Sequence, residues 1–171
     1  LQAEVERVFR AADACPAYSS IVGAGANGCL LHYIANTARA KDGELVLIDA
    51  GAEYRNYAAD ITRTFPVNGR FSKEQRALHY LVGAAQAAAL ARARPGVPFA
   101  ALHEAVVEVL VDGLLRLGLL KGSAEKCVAG ERYKQFYRHK SGHWLGLDVH
   151  DVGDYRIDGH PRLLEPGMVL T

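Results

Sequence analysis

A chain of 171 residues, half of them hydrophobic and 23% charged, has enough material for one packed domain. Its formal net charge is +1 and its basic residues are scattered, so no basic patch marks a nucleic-acid or anionic-membrane partner. Cys15, Cys29 and Cys127 are odd in number and form no C-x-x-C pair, which argues against a zinc knuckle or disulfide framework and suits reduced thiols in a cytoplasmic protein.

Residues 1–14, "LQAEVERVFRAADA", set apolar side chains at 1, 5, 8, 9 and 12, a helical period ended by Pro16. Short β-like pieces follow: "SSIVG", "CLLHY", "ELVLIDAG" and "YAADITRTFPV", the last two joined by "AEYRN" as a loop between antiparallel strands. Ser72, with Glu74 and Gln75 behind it, caps a long Ala-rich helix, "KEQRALHYLVGAAQAAALARA". "RPGVP" breaks that helix, and "FAALHEAVVEVLVDGLLRLGLL" repeats the amphipathic pattern as a second one. After "KGSAEK" comes a less regular segment ending in the Gly- and His-rich "FYRHKSGHWLGLDVHDVG". No segment has the ~18 uninterrupted apolar residues of a membrane span, and no secretory signal pattern opens the chain. This order lacks strict β-α alternation, so an α+β class is favoured over a doubly wound sheet.

Gly23, Gly25 and Gly28 fit G-x-G-x-x-G, and Asp49 follows at about the distance of a ribose-binding acid. A dinucleotide site also needs a firm strand before the glycines and a helix directly after them. "PAYSSIV" is a weak strand, "CLLHYIANTARA" reads as helix or strand, and no further βαβ units follow. Glycines in turns are the better reading. Asp49 is then left for other chemistry.

Asp49 and Asp60 both sit in apolar, β-like surroundings, and a hairpin near residues 53–57 would bring them together. Two such carboxylates repel unless one takes a proton or a cation lies between them. Taken singly, Asp49 reads as a turn cap and Asp60 as a partner for Arg63; taken as a pair, they read as a cation site. His139, His143 and His150 lie within twelve positions. The first two have the spacing of H-E-x-x-H, but Lys140 replaces the Glu and Ser141-Gly142 oppose a helix, so that motif is rejected. With His32 from "LLHY", the set suggests a pocket.

The blocks "NGCLLHY", "LVLIDAGAEYRNYAADITRTFPVNGRF", "SGHWLGLDVHDVG" and "LEPGMVLT", in this order, resemble the pita-bread metallopeptidases, and among them the Xaa-Pro aminopeptidases. The resemblance runs over nearly the whole chain. Prolidase is the alternative within that family, but Trp144 after His143 tilts the comparison toward the aminopeptidase; methionine aminopeptidases resemble the chain less. The resemblance implies an α+β pita-bread fold, a curved antiparallel sheet covered by helices, with residues 1–171 forming a partial catalytic domain. It also implies two divalent metal ions, manganese by family habit with zinc or cobalt as alternatives, held here by Asp49, Asp60 and His143. A mostly oxygen donor set with one imidazole is hard enough to suit manganese. His32 and His150 match histidines that hydrogen-bond substrate and the developing tetrahedral intermediate, and are the catalytic and substrate-binding candidates. His139 matches a histidine lining the pocket for the proline ring, with a packing role as its alternative.

The implied activity is hydrolysis of the bond between an N-terminal residue and a penultimate proline, by a water activated between two metals. The partners implied are peptides with proline in second position and, for the full-length protein, copies of itself in a homo-oligomer; no nucleic acid or membrane is expected. The chain lacks an initiating Met and ends at Thr171 after "GMVL", before the two Glu ligands that the resemblance places further on. The expectation is an excerpt of a longer enzyme, without its N-terminal domain and terminal strands and inactive by itself. Prolidase activity and a non-catalytic peptide- or protein-binding module are the alternatives.

Overall fold

The structure is a computed structural model that describes all 171 residues. The chain divides into two compact units: residues 1–76, 143–152 and 169–171 form the first, and residues 77–142 and 153–168 the second.

The first unit opens with helix α1 (Gln2–Ala11), followed by strands β1 (Cys15–Pro16) and β2 (Ile21–Ala24). Next come β3 (Leu45–Asp49), β4 (Ala52–Tyr54), β5 (Tyr57–Ala58) and β6 (Thr62–Pro66). All their pairings are antiparallel, in the orders β1-β4-β5 and β2-β3-β6. The stretch from 45 to 66 is one long hairpin pinched in the middle. Arg55 and Asn56 turn it, both with left-handed backbones (φ 50 and 63), as a two-residue hairpin turn requires. "AEYRN" is therefore only partly a loop, since its first three residues form β4.

The glycine fingerprint does not open an α-helix. Residues Gly25–Cys29 form a 3-10 turn after β2, and a Cβ on Gly23 would fall 2.8 Å from the Gly28 backbone. β2 then pairs antiparallel with β3, not through a βαβ crossover. The glycines serve a tight backbone crossing, and the geometry of a dinucleotide site is absent. "CLLHY" is not a strand either. Leu30, Leu31 and Ile34 are 56%, 62% and 61% exposed, so this apolar run lies in an open loop rather than against a sheet.

The second unit is helical. α2 (Lys73–Arg92) enters it from residue 77 onward, and α3 (Ala100–Arg116) and the short α4 (Ala124–Ala129) follow. Ser72 and Gln75 form the capping box of α2, each side chain bonding the other's backbone N–H (3.2 and 2.9 Å). Leu81, Ala85, Val106, Val107, Leu110, Val111 and Leu114 bury one apolar cluster with Cys127 and Tyr133. α4 runs from the end of "KGSAEK" into the segment read as less regular, with Ser123 as its N-cap. A final hairpin, β7 (Arg156–Ile157) and β8 (His160–Pro161), turns at Asp158-Gly159. No helix is long and apolar enough to cross a membrane.

Candidate metal centre

The pinch in the long hairpin builds the site. β3 pairs Asp49 with Thr62, and β4 pairs Glu53 with Ala58. Carried through the pinch, that register sets Asp60 opposite Gly51 and puts Asp49 on the same face, one diagonal step away. The segments approach so closely there that a Cβ on Gly51 would lie 1.6 Å from the Ala59 carbonyl oxygen. Only glycine fits.

Alongside runs the segment from β1 to β2. It pairs Pro16 with Ala52 and then Ile21 with Asp49, so it carries two extra residues across this stretch. The bulge aims Tyr18 at the acids. Its hydroxyl lies 2.5 Å from Asp49 Oδ1 and 3.1 Å from Asp60 Oδ1. Burial first, then the hydrogen bond to Asp49 and the nearby carboxylate charges, push its ionisation well above the ordinary tyrosine range. Tyr18 therefore stays a neutral donor between two acceptors. Sequence reasoning missed it, because nothing in "CPAYSS" announces a two-residue change of register.

His143 reaches the same place from another strand-like segment. Its backbone pairs both ways with Thr171 (3.1 Å each), and the Thr171 hydroxyl donates to the Asp60 carbonyl at 3.1 Å. His143 Nδ1 lies 2.9 Å from the Trp144 carbonyl, and Nε2 lies 2.9 Å from Asp60 Oδ2. A carbonyl only accepts, so Nδ1 carries a proton and Nε2 faces the acid. The Trp144 carbonyl also accepts from the Asp151 amide (3.1 Å), which folds the 146–151 loop back. That return sets the His150 ring edge-on to His143, with centroids 4.4 Å apart.

The structure thus brings Asp49, Asp60, His143 and His150 together. Arg63 donates to the Thr62 carbonyl, and Asp60 takes Tyr18 and His143 as its partners instead. His32 is exposed in the 30–44 loop with a left-handed backbone (φ 56). His139 belongs to the second unit and is exposed there.

No three His, Cys, Asp or Glu side chains stand in a finished coordination cage. The donor set nevertheless fits a divalent cation. Two carboxylates and an imidazole whose Nδ1 proton is fixed by a carbonyl are the chemistry of a hard metal site. His143 Nε2 and Asp60 Oδ2 already lie 2.9 Å apart, close enough to be drawn onto one cation.

A family model, "Metallopeptidase family M24", matches residues 1–171. The chain belongs to metallopeptidase family M24. Membership implies a divalent metal. The M24 chain is 48% identical to the Xaa-Pro aminopeptidase of Escherichia coli (strain K12) over 172 residues, covering all of this chain and 39% of that protein. It is 51% identical to the Xaa-Pro aminopeptidase of Haemophilus influenzae over 156 residues, 91% of this chain and 36% of the relative. Among solved structures, the Pseudomonas aeruginosa aminopeptidase PepP superposes with a TM-score of 0.97 at 56% identity, over 98% of this chain and 38% of that one. A zinc-substituted E. coli aminopeptidase P in complex with product gives 0.94 at 48% identity, over 98% of this chain and 38% of that one. The fold is the pita-bread α+β fold of aminopeptidase P, in part. The chain spans less than two-fifths of the length of each of these relatives and structures.

Proposed function

We propose that this M24 chain carries part of the active centre of a metal-dependent aminopeptidase that removes the residue before a penultimate proline. The observation that supports it best is the hydrogen-bonded chain Asp49–Tyr18–Asp60–His143 in a chain 48% identical to a Xaa-Pro aminopeptidase. Asp49, Asp60 and His143 Nε2 would hold the metal, with manganese favoured by the oxygen-rich donors and zinc or cobalt as alternatives. A pair of such ions, when bound, would polarise the scissile carbonyl and lower the pKa of a water to near neutrality. Tyr18 would keep the two carboxylates turned toward each other, and the Trp144 carbonyl would hold the His143 tautomer. His150 and His32 would donate to substrate oxygens where negative charge develops. The assignment of His139 to the proline ring rests on the sequence resemblance alone. Proline has no amide hydrogen and a fixed φ, so a dedicated pocket answers a bond that ordinary peptidases refuse. Three unpaired thiols agree with a reducing compartment such as the cytoplasm.

The protein, extended to the length of its relatives and supplied with manganese, is expected to release the first residue of an X-Pro-Y tripeptide and to stop on chelation. Cleavage of X-Pro dipeptides alone would make it a prolidase. Failure to bind any divalent metal in calorimetry would overturn the reading in favour of a binding module.

A further inference from the structure

The loop after the 3-10 turn carries His32 but has little apolar burial to hold it, since Leu30, Leu31 and Ile34 all face solvent. Polar contacts replace that burial. The Asn27 amide donates to the Tyr33 hydroxyl at 3.2 Å, beside His32. Asn36 makes the denser set. Its Oδ1 accepts from the Val22 amide at 2.8 Å, and its Nδ2 donates to the Ser20 carbonyl at 2.7 Å and to Gln2 Oε1 at 2.8 Å. Gln2 in turn donates to Glu6 at 2.8 Å, which the buried Ser20 hydroxyl also reaches at 3.4 Å.

β2 is an edge strand of its sheet, pairing only with β3. The Ser20 carbonyl and Val22 amide are the acceptor and donor that a neighbouring strand would use, and one carboxamide satisfies both. Asn36 thus acts as a one-residue strand: it closes the edge and ties the loop to β2 and α1 in a single contact. Its left-handed backbone (φ 51) is one that asparagine tolerates better than most residues.

We propose that Asn36 is a positioning residue for His32, a latch that fixes the loop in which that imidazole meets the substrate. The inference rests on the role given to His32 above. None of the hydrogen bonds described for Asn36 involves Asp49, Asp60 or His143, so the latch acts on substrate handling and not on metal binding.

The test is a double-mutant cycle in the protein at its relatives' length, assayed on an X-Pro-Y tripeptide with kcat and KM separated. Asn36→Asp keeps the shape and the left-handed tolerance, but sets a carboxylate oxygen against the Ser20 carbonyl. It is expected to lower kcat about tenfold or more, with metal affinity unchanged. In a His32→Ala background the same change should cost almost nothing, because the group it positions is gone. Hydrogen exchange of the Val22 amide and of residues 30–37 should rise selectively in the variant, and Asn36→Gly, which removes the carboxamide without backbone strain, should reproduce both effects. Equal losses in the two backgrounds, or a loss confined to metal affinity, would overturn the latch and leave the peptidase reading standing. A metal-loaded protein inactive before any substitution would instead sink that reading, and the latch with it.

Discussion

The two units are held by different forces. The second buries Leu81, Val106, Val107, Leu110, Val111 and Leu114 in one apolar cluster, and its helices owe their stability to that burial. The first offers only scattered buried residues such as Val46 and Ala58, and α1 buries none. It is held by antiparallel ladders, a pinched hairpin and polar links through Tyr18 and Asn36. Every candidate metal ligand lies in this unit. Where carboxylates must be kept close together, hydrogen bonds fix direction in a way that apolar contacts cannot.

Substitutions that separate a cost in function from a cost in stability sharpen this contrast. The largest effect is expected for Asp60→Ala, which removes the acid bonded to both Tyr18 and His143 and should weaken divalent-metal affinity more than about a hundredfold in calorimetry. Next, Leu110→Ala in the helical cluster should cost about 3 kcal/mol in denaturant unfolding, a cavity penalty with no counterpart among the polar links. Tyr18→Phe keeps the ring and deletes the hydroxyl. Metal affinity should fall about tenfold while the unfolding midpoint moves little; a large stability loss with unchanged affinity would show that the tyrosine only packs.

The smallest effect concerns pH. His103 in α3, bonded through Nδ1 to Ser141 Oγ at 2.8 Å, titrates below the ordinary value of 6.5, chiefly through burial and then through the Lys140 charge. Below 6.5 the unfolded chain therefore binds more protons than the folded one. The contribution of His103 to stability is full above that pH and declines as pH drops through the depressed folded value. Unfolding followed from pH 7 to pH 5 should show this slope, and His103→Gln should flatten it.

The elements with strong periodicity were legible in the sequence. The long helices, the Ser72 cap and the "LVLID" strand follow from pattern and capping chemistry, and the α+β class from their order. Asp49 and Asp60 stood out as a pair of acids in β-like apolar stretches and His143 as one of a Gly- and His-rich set, while only the family resemblance joined the three as ligands. What escaped depends on register. Tyr18 meets the acids only because its strand gains two residues on its partner, and a bulge leaves no trace in composition. "CLLHY" looked like a strand because apolar runs usually seek cover, yet its leucines stand in solvent. The β7–β8 hairpin did carry a signal, the Asp158-Gly159 dipeptide, and illustrates how readily two-residue strands pass unnoticed.

The contact at Gly51 makes main chain, rather than any side chain, the ruler that sets how far apart the two acids lie. At the hairpin tip Tyr54 and Tyr57 are about half exposed, which leaves room for side chains of other sizes. At the waist that latitude vanishes: even one added methyl would have to pry the ribbon open and carry Asp60 away from Asp49.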